Sequence, residues 1–338
     1  MHDVARLAGV SHQTVSRVLN AEPGIRPSTH ARVEAAIVSL EYRRNPAATA
    51  LASRRSHRIG ALVSGLLESG PSKFIEGAAA EAREAGYVLD IVSLTVGGDG
   101  VVSDAVELLE QQDLAGVLAF SPSAHLRDAL GLLQLRVPVV VSMAPEDDAA
   151  ADDAHGGNAV ATRLALEHLL ARGHQRVVLI AGPHQWASAE RRTTAYHTVM
   201  VEHGLTALPL IEGDWTARSG YEAGWRLPLD AGVTAVLAAN DQMALGVLRA
   251  LHERGVHVPD QMSVLGIDDI PESEYFLPPL TSVRLDFNGY GRESISTLLR
   301  TIQPTTHRPA QHATAPRLIV RGSTQHAPNP APQRPDAT

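Results

Sequence analysis

From residue 58 onward the chain alternates short continuous apolar runs with amphipathic stretches, and few architectures accept that pattern. The runs cover residues 59–63, 88–92, 116–120, 137–141, 177–181, 235–239 and 264–267, and helix-like stretches such as 74–85, 104–111, 159–171 and 242–254 lie between them. A strand that is apolar on both faces has to be covered on both faces, so the pattern predicts parallel sheets flanked by helices. Residues 58–323 hold too many such units for one compact half. Two doubly wound parallel-sheet lobes are therefore expected. Ligands bind such sheets at the carboxyl ends of their strands. Polar residues follow three of the runs directly: Ser64, the pair Asn240-Asp241 and the pair Asp268-Asp269. Carboxylates and amides suit sugar hydroxyls, and an aromatic face such as that of Trp215 suits the apolar side of a pyranose.

Charge sets the first 60 residues apart from the rest. They carry nine arginines against four acids, net +5, whereas the remaining 278 residues are net −13 and the whole chain −8. A basic head on an acidic body suits a small module that touches a polyanion while the body stays off it. Chance clustering in a chain whose only lysine is Lys73 is the plainer alternative.

The head reads as three short helices. The first is expected over residues 3–8, a turn at Gly9, and a second helix over residues 11–20 with Ser11 as its cap. Val15, Val18 and Leu19 should share a buried face with Leu7 and Val10. His12, Gln13, Ser16 and Arg17 should lie opposite, free to enter a major groove. Gln pairs with adenine and Arg with guanine, each worth about 1–3 kcal/mol of discrimination. A solvated helix face would look the same. A third helix starts near Pro27 and should bury Val33, Ala36, Ile37 and Leu40.

The stretch Asp3-Val4-Ala5-Arg6-Leu7-Ala8-Gly9-Val10-Ser11-His12-Gln13-Thr14-Val15-Ser16-Arg17-Val18-Leu19-Asn20 resembles the DNA-binding signature of the lactose-repressor family of transcription regulators. The resemblance implies that His12, Gln13 and Arg17 meet base edges of double-stranded DNA. It implies phosphate or structural contacts for Ser11, Thr14, Ser16 and Asn20. Asn45-Pro46-Ala47-Ala48-Thr49-Ala50-Leu51-Ala52 is similar to the family's hinge helix, in which a leucine, here Leu51, wedges into the minor groove and kinks the duplex. The expected organisation is a headpiece over 1–43, a hinge over 44–57, a two-lobed periplasmic-binding-protein-like core over 58–323 and a disordered tail over 324–338.

The resemblance extends over nearly the whole core. Gly213-Asp214-Trp215 and residues 240–246 look most like the lactose-repressor branch. It implies effector contacts from Ser64, Trp215, Asn240, Asp268 and Phe287, with Asp268 rather than Asp269 facing the ligand. At the position where the family carries an effector-gripping arginine, a straight alignment puts Glu190. Either Arg191 takes over after a local shift or the pocket lacks its cation. Met143 stands where another family carboxylate is expected. The implied function is an operator-binding repressor, induced by a small sugar with a galactoside as the candidate. A DNA binder with a decayed or non-sugar pocket is the alternative. The implied partners are a near-palindromic operator and a second copy of the chain in a homodimer.

Other classes fit less well. Adjacent carboxylates such as Asp268-Asp269 rarely flank one scissile bond, and no hydrolase elbow, phosphate-binding loop or zinc signature occurs, so no catalytic residue is expected. The 16 histidines form no spaced ligand set and cysteine is absent, so no metal site and no cofactor are expected. The first residues do not read as a signal peptide and no apolar run reaches membrane length, which fits a cytoplasmic protein and argues against a transport-type sugar-binding protein.

Overall fold

The computed structural model describes residues 1–19, 22–42, 56–94, 105, 107–109, 111–120, 136–142, 157–304 and 313–328. The chain divides into two compact units, Met1–Ser56 and His57–Thr338.

In the first unit α1 (His2–Ala8), α2 (His12–Leu19) and α3 (Pro27–Ser39) enclose a small core of Val4, Ala5, Ala8, Val15, Val18, Val33 and Ala36. Gly9 ends α1 at φ 61°, a left-handed conformation that costs glycine little. The Ser11 hydroxyl accepts the Thr14 amide at 3.1 Å and caps α2. Val15 and Val18 are buried as expected, and Val10, Leu19 and Ile37 pack at the margin. Leu7 and Leu40 are corrections: both are exposed, at 56% and 43%. With three short helices, only the positions aimed at the common centre are covered. Val4, Ala5 and Ala8 take that place on α1.

The second unit holds two sheets. In the first, β1 (Arg58–Ser64), β2 (Val88–Leu94), β3 (Gly116–Phe120) and β4 (Val139–Ser142) lie parallel in the order β2-β1-β3-β4. In the second, the order is β10-β9-β8-β7-β5-β6. It is built from β5 (Val177–Ala181), β6 (Ile211–Glu212), β7 (Ala235–Ala238), β8 (Ser263–Asp268), β9 (Thr281–Arg284) and β10 (Arg317–Ile319). The exception to a parallel arrangement is β10, which runs antiparallel to β9 at the edge. The helices are α4 (Ser69–Glu84), α5 (Gly157–Leu170), α6 (Ala187–Glu202), α7 (Ala217–Trp225), α8 (Asp241–Glu253) and α9 (Phe287–Ile302). Among the described residues no helix is long and apolar enough to cross a membrane.

The helix α9 follows β9 of the second sheet yet packs on α4, β3 and β4 of the first. Glycines allow its approach to α4. A Cβ at Gly77 would strike the Asn288 carbonyl, and one at Gly291 would strike the Phe74 carbonyl.

The expectation of disorder from Thr324 fails for the first residues of the tail. Thr324 is buried, its hydroxyl is 2.9 Å from His168 Nε2, and the Ala327 amide donates to the Arg172 carbonyl. Residues 329–338 lie outside the described residues. Polar composition alone predicted disorder, but His168 and His174 give these few residues a place to dock. Arg172 donates to His168 Nδ1 at 3.1 Å, so Nε2 carries the proton given to Thr324. His174 Nε2 donates to the Gln325 carbonyl at 3.0 Å, and Nδ1 accepts from Thr234. Burial pushes His168 down to about 4 and lowers His174 as well. A depressed folded value means that the unfolded chain binds more protons below its ordinary histidine value of about 6.5. Stability is therefore expected to be full at pH 7 and to fall as pH drops from about 6.5 toward 4. Urea unfolding midpoints at pH 7 and pH 5 check this, and His168→Gln should flatten the dependence. A midpoint that is the same at both values would contradict the assignment.

Candidate functional site

The turns after β1, β7 and β8 and the starts of α4, α6 and α9 surround a cavity. Four of the residues expected to meet an effector converge there: Trp215, Asn240, Asp268 and Phe287. Ser64 is buried at the end of β1 but does not line the cavity.

The strand β8 ends on two consecutive non-glycine residues of positive φ, Asp268 at 108° and Asp269 at 50°. Such conformations cost of order 1–3 kcal/mol each and persist only where surroundings enforce them. Here the Asp269 carboxylate is held by Arg284 at 2.6 Å and Arg321 at 2.7 Å, and its amide donates to Ser282 Oγ at 3.1 Å. With Asp269 tied down in this way, Asp268 is the carboxylate that borders the cavity. Beneath it, the fully buried Asp241 accepts the Ile270 amide, Ser273 Oγ and Ser282 Oγ at 2.9, 2.7 and 2.6 Å. Burial raises the Asp241 carboxyl, and the charge of Asp268 raises it further.

Asn240 performs two local tasks. Its Oδ1 caps α8 through the Met243 amide at 2.9 Å, and its Nδ2 donates to the Trp215 carbonyl at 2.9 Å. It thereby holds Trp215, itself at φ 72°, with its indole against the cavity. That indole meets the Trp186 ring edge-on at 5.7 Å and lies 5.6 Å from the Arg192 guanidinium. Trp215 Nε1 is buried and has no hydrogen-bond partner among the described residues.

Arg191 and Arg192 both line this cavity, and the buried cation of the two is Arg192. It is 4% exposed and donates to Asn158 Oδ1 at 2.9 Å, to the Ala239 carbonyl and to Asp268 at 3.5 Å. Burial pushes Asp268 up to about 6, while Arg192 and Lys73 pull it down. Glu190, by contrast, is exposed and does not line the cavity, so its assignment as an effector contact is corrected. The reason is helical geometry. With α6 starting at Ala187, Ser188 and Arg192 stand one turn apart on one face, whereas Glu190 points about 160° away from Ser188. Counting from the helix start would have found Arg192 in the sequence. Met143 lies outside the described residues. Sequence reasoning also missed Glu68, Asn158 and Trp186, which carry no motif and join the cavity only through packing.

On the headpiece, His12, Gln13 and Arg17 are exposed along one side of α2, and Ser16 is half-buried. His12 stacks on His2 at 4.9 Å. Arg17 is held by Glu22 at 3.0 Å and by the Pro23 carbonyl at 3.0 Å. Ser11 and Thr14 share a hydrogen bond at 2.9 Å. Asn20 and Leu51 lie outside the described residues.

Known proteins share both parts. Residues 1–45 match the bacterial regulatory proteins of the lacI family, and residues 166–324 match a periplasmic binding protein-like domain. The chain is 34% identical to the lactose operon repressor of Escherichia coli K12, over 97% of this chain and 91% of that protein. It is 31% identical to the ribose operon repressor of the same strain, over 96% and 99%. A solved lac repressor dimer bound to operator and the anti-inducer ONPF superimposes with a TM-score of 0.81 at 33% identity, covering 96% of this chain and 98% of that one.

Proposed function

This chain belongs to the lacI family of bacterial regulatory proteins, and on that premise we propose that it is a repressor released from its operator by a small sugar held in the cavity lined by Trp215, Asn240 and Asp268. That it is a DNA-binding transcriptional repressor with a ligand-binding domain follows from the family. The observation that carries the sugar reading is the set of buried polar groups around one aromatic face. Arg192 and Asp268 form a pair at 3.5 Å beside Asn158 and Asn240, under the rings of Trp215 and Trp186. Fixed donors and acceptors beside aromatic rings suit a hydroxyl-rich ring. A galactoside is the first candidate, because the relatives include lactose-operon and ribose-operon repressors and a lac repressor structure with bound ONPG. Purine repressors among the relatives make nucleobases the necessary competitor. With Arg192 in place, a pocket without its cation loses its main support.

Two copies of the headpiece on a near-palindromic operator are part of the same reading, since half-site symmetry mirrors protein symmetry. His12, Gln13 and Arg17 are the proposed base readers, with Ser11, Thr14 and Ser16 against phosphate. Glu22 and Pro23 hold the Arg17 guanidinium at the end of α2, which limits the ordering it loses on binding. Arg17→Ala is expected to weaken operator binding by about 1–3 kcal/mol while leaving random DNA nearly unaffected. Equal losses on both would remove it from base recognition.

The test of the function is fluorescence anisotropy on a labelled fragment from upstream of the gene, at fixed salt because salt sets the baseline affinity. Galactosides, pentosides and nucleobases are titrated into the complex. Release by a sugar supports the reading, and release by a nucleobase alone overturns it.

A further inference from the structure

Glu68 has no role in the reading above, yet its carboxylate borders the same cavity. It is the cap residue of α4, in the turn that follows β1. Its Oε1 lies 2.9 Å from the point a Cβ on Gly65 would occupy, and the Trp186 ring lies 3.1 Å from that point. Carboxylate and indole therefore flank one spot at the cavity edge. Among the described residues nothing donates a hydrogen bond to Glu68. Arg192 is committed to Asn158, Ala239 and Asp268.

Two carboxylates, Asp268 and Asp214, act on Glu68 through their charge. Burial, followed by the charges of Asp268 and Asp214, pushes its carboxyl up to about 7. A half-buried acceptor without a donor, beside aromatic rings, matches a cation better than a neutral hydroxyl: an ammonium group supplies both the missing donor and the missing charge. A second group independently points to a ligand in the same space. Trp215 is 6% exposed and its Nε1 donor has no partner among the described residues, so it is free to donate to a ligand oxygen.

We propose that Glu68 determines effector choice by binding a protonated amino group, so that the effector is an amine-bearing sugar rather than a neutral one. The ammonium sits on Glu68 against Trp186, a ring oxygen or hydroxyl accepts from Trp215 Nε1, and the remaining hydroxyls reach Arg192 and Asp268. This rests on the sugar-cavity reading and narrows it to one chemical class.

Calorimetry on the full chain at pH 7 tests it, with the methyl glycosides of galactosamine and glucosamine set against those of galactose and glucose. The aminated sugars are expected to bind about tenfold or more tightly than their neutral counterparts, the worth of one charge-assisted hydrogen bond. Glu68→Gln should remove that preference, and Glu68→Asp should keep part of it. Neutral sugars binding as well as aminated ones in the unaltered protein would overturn the role of Glu68 and leave the sugar reading standing. An amine preference that survives Glu68→Gln would do the same. No binding of either class, with operator binding intact, would overturn the sugar reading and this proposal together.

Discussion

Arg192→Met is expected to destabilise the ligand domain by about 3–5 kcal/mol and to abolish effector binding. The guanidinium is 4% exposed and satisfies three buried acceptors at once: Asn158 Oδ1, the Ala239 carbonyl and Asp268 Oδ1. Methionine fills much of the volume but donates nothing, so each acceptor keeps its desolvation cost without its bond. Asp268 suffers most, since burial already raises its carboxyl to about 6 with Arg192 present. A group whose folded value is raised loses stability as pH climbs through that value. The deficit in Arg192→Met should therefore be larger at pH 8 than at pH 5. Thermal unfolding reads it as a drop of about 10 °C near neutral pH. Adding Asp268→Asn should recover part of the stability and none of the binding, because the cost to the fold comes from an unpaired charge and the cost to binding from a lost donor. A variant as stable as the parent at pH 8 would mean that the pair is solvated in solution.

Gly291→Ala is expected to destabilise the protein by about 3 kcal/mol, the reverse of what helix propensity predicts. In an exposed helix the same change stabilises by about 1 kcal/mol. Here the added methyl group would strike the Phe74 carbonyl and stand 2.8 Å from the Ala78 amide nitrogen. Both are main-chain atoms of α4, which cannot rotate aside as a side chain can. The two helices must separate, and they separate next to the cavity. Phe287 begins α9, and its ring lies about 3 Å from where a Cβ on Gly70 of α4 would be. Weaker effector binding should accompany the lower stability, read by urea unfolding and by calorimetry. A variant with raised stability would show that the helices are not in close contact at this point.

Much of the molecule is legible in the chain because it depends on local period and residue type. Continuous apolar runs specify parallel strands, buried in β1, β3, β5, β7 and β8 but partly exposed in the edge strands β2 and β4, and Gly9 and Ser11 specify the turn and cap of the headpiece through conformational freedom and a short hydroxyl. The apolar run over 264–267 puts Asp268 at a strand end, and the family resemblance separates it from Asp269. Trp215, Asn240 and Phe287 are legible in the same way, although Asn240 also positions Trp215 through its amide. Tertiary structure decided the rest. It chose Arg192 over Glu190, because the facing of α6 depends on its start at Ala187 and on the packing of its buried side. It exposed Leu7 and Leu40, which a helical stripe alone would bury. It docked Thr324 and Ala327 on His168 and Arg172, partners more than 150 residues away in the chain. It returned α9 to the first sheet and brought Glu68 to a cavity with Trp186 and Asp268. The physical reason is common to all of these. Strand and helix periods are properties of neighbouring residues, whereas an unpaired carboxylate, a buried cation or a glycine contact exists only once distant segments have packed together.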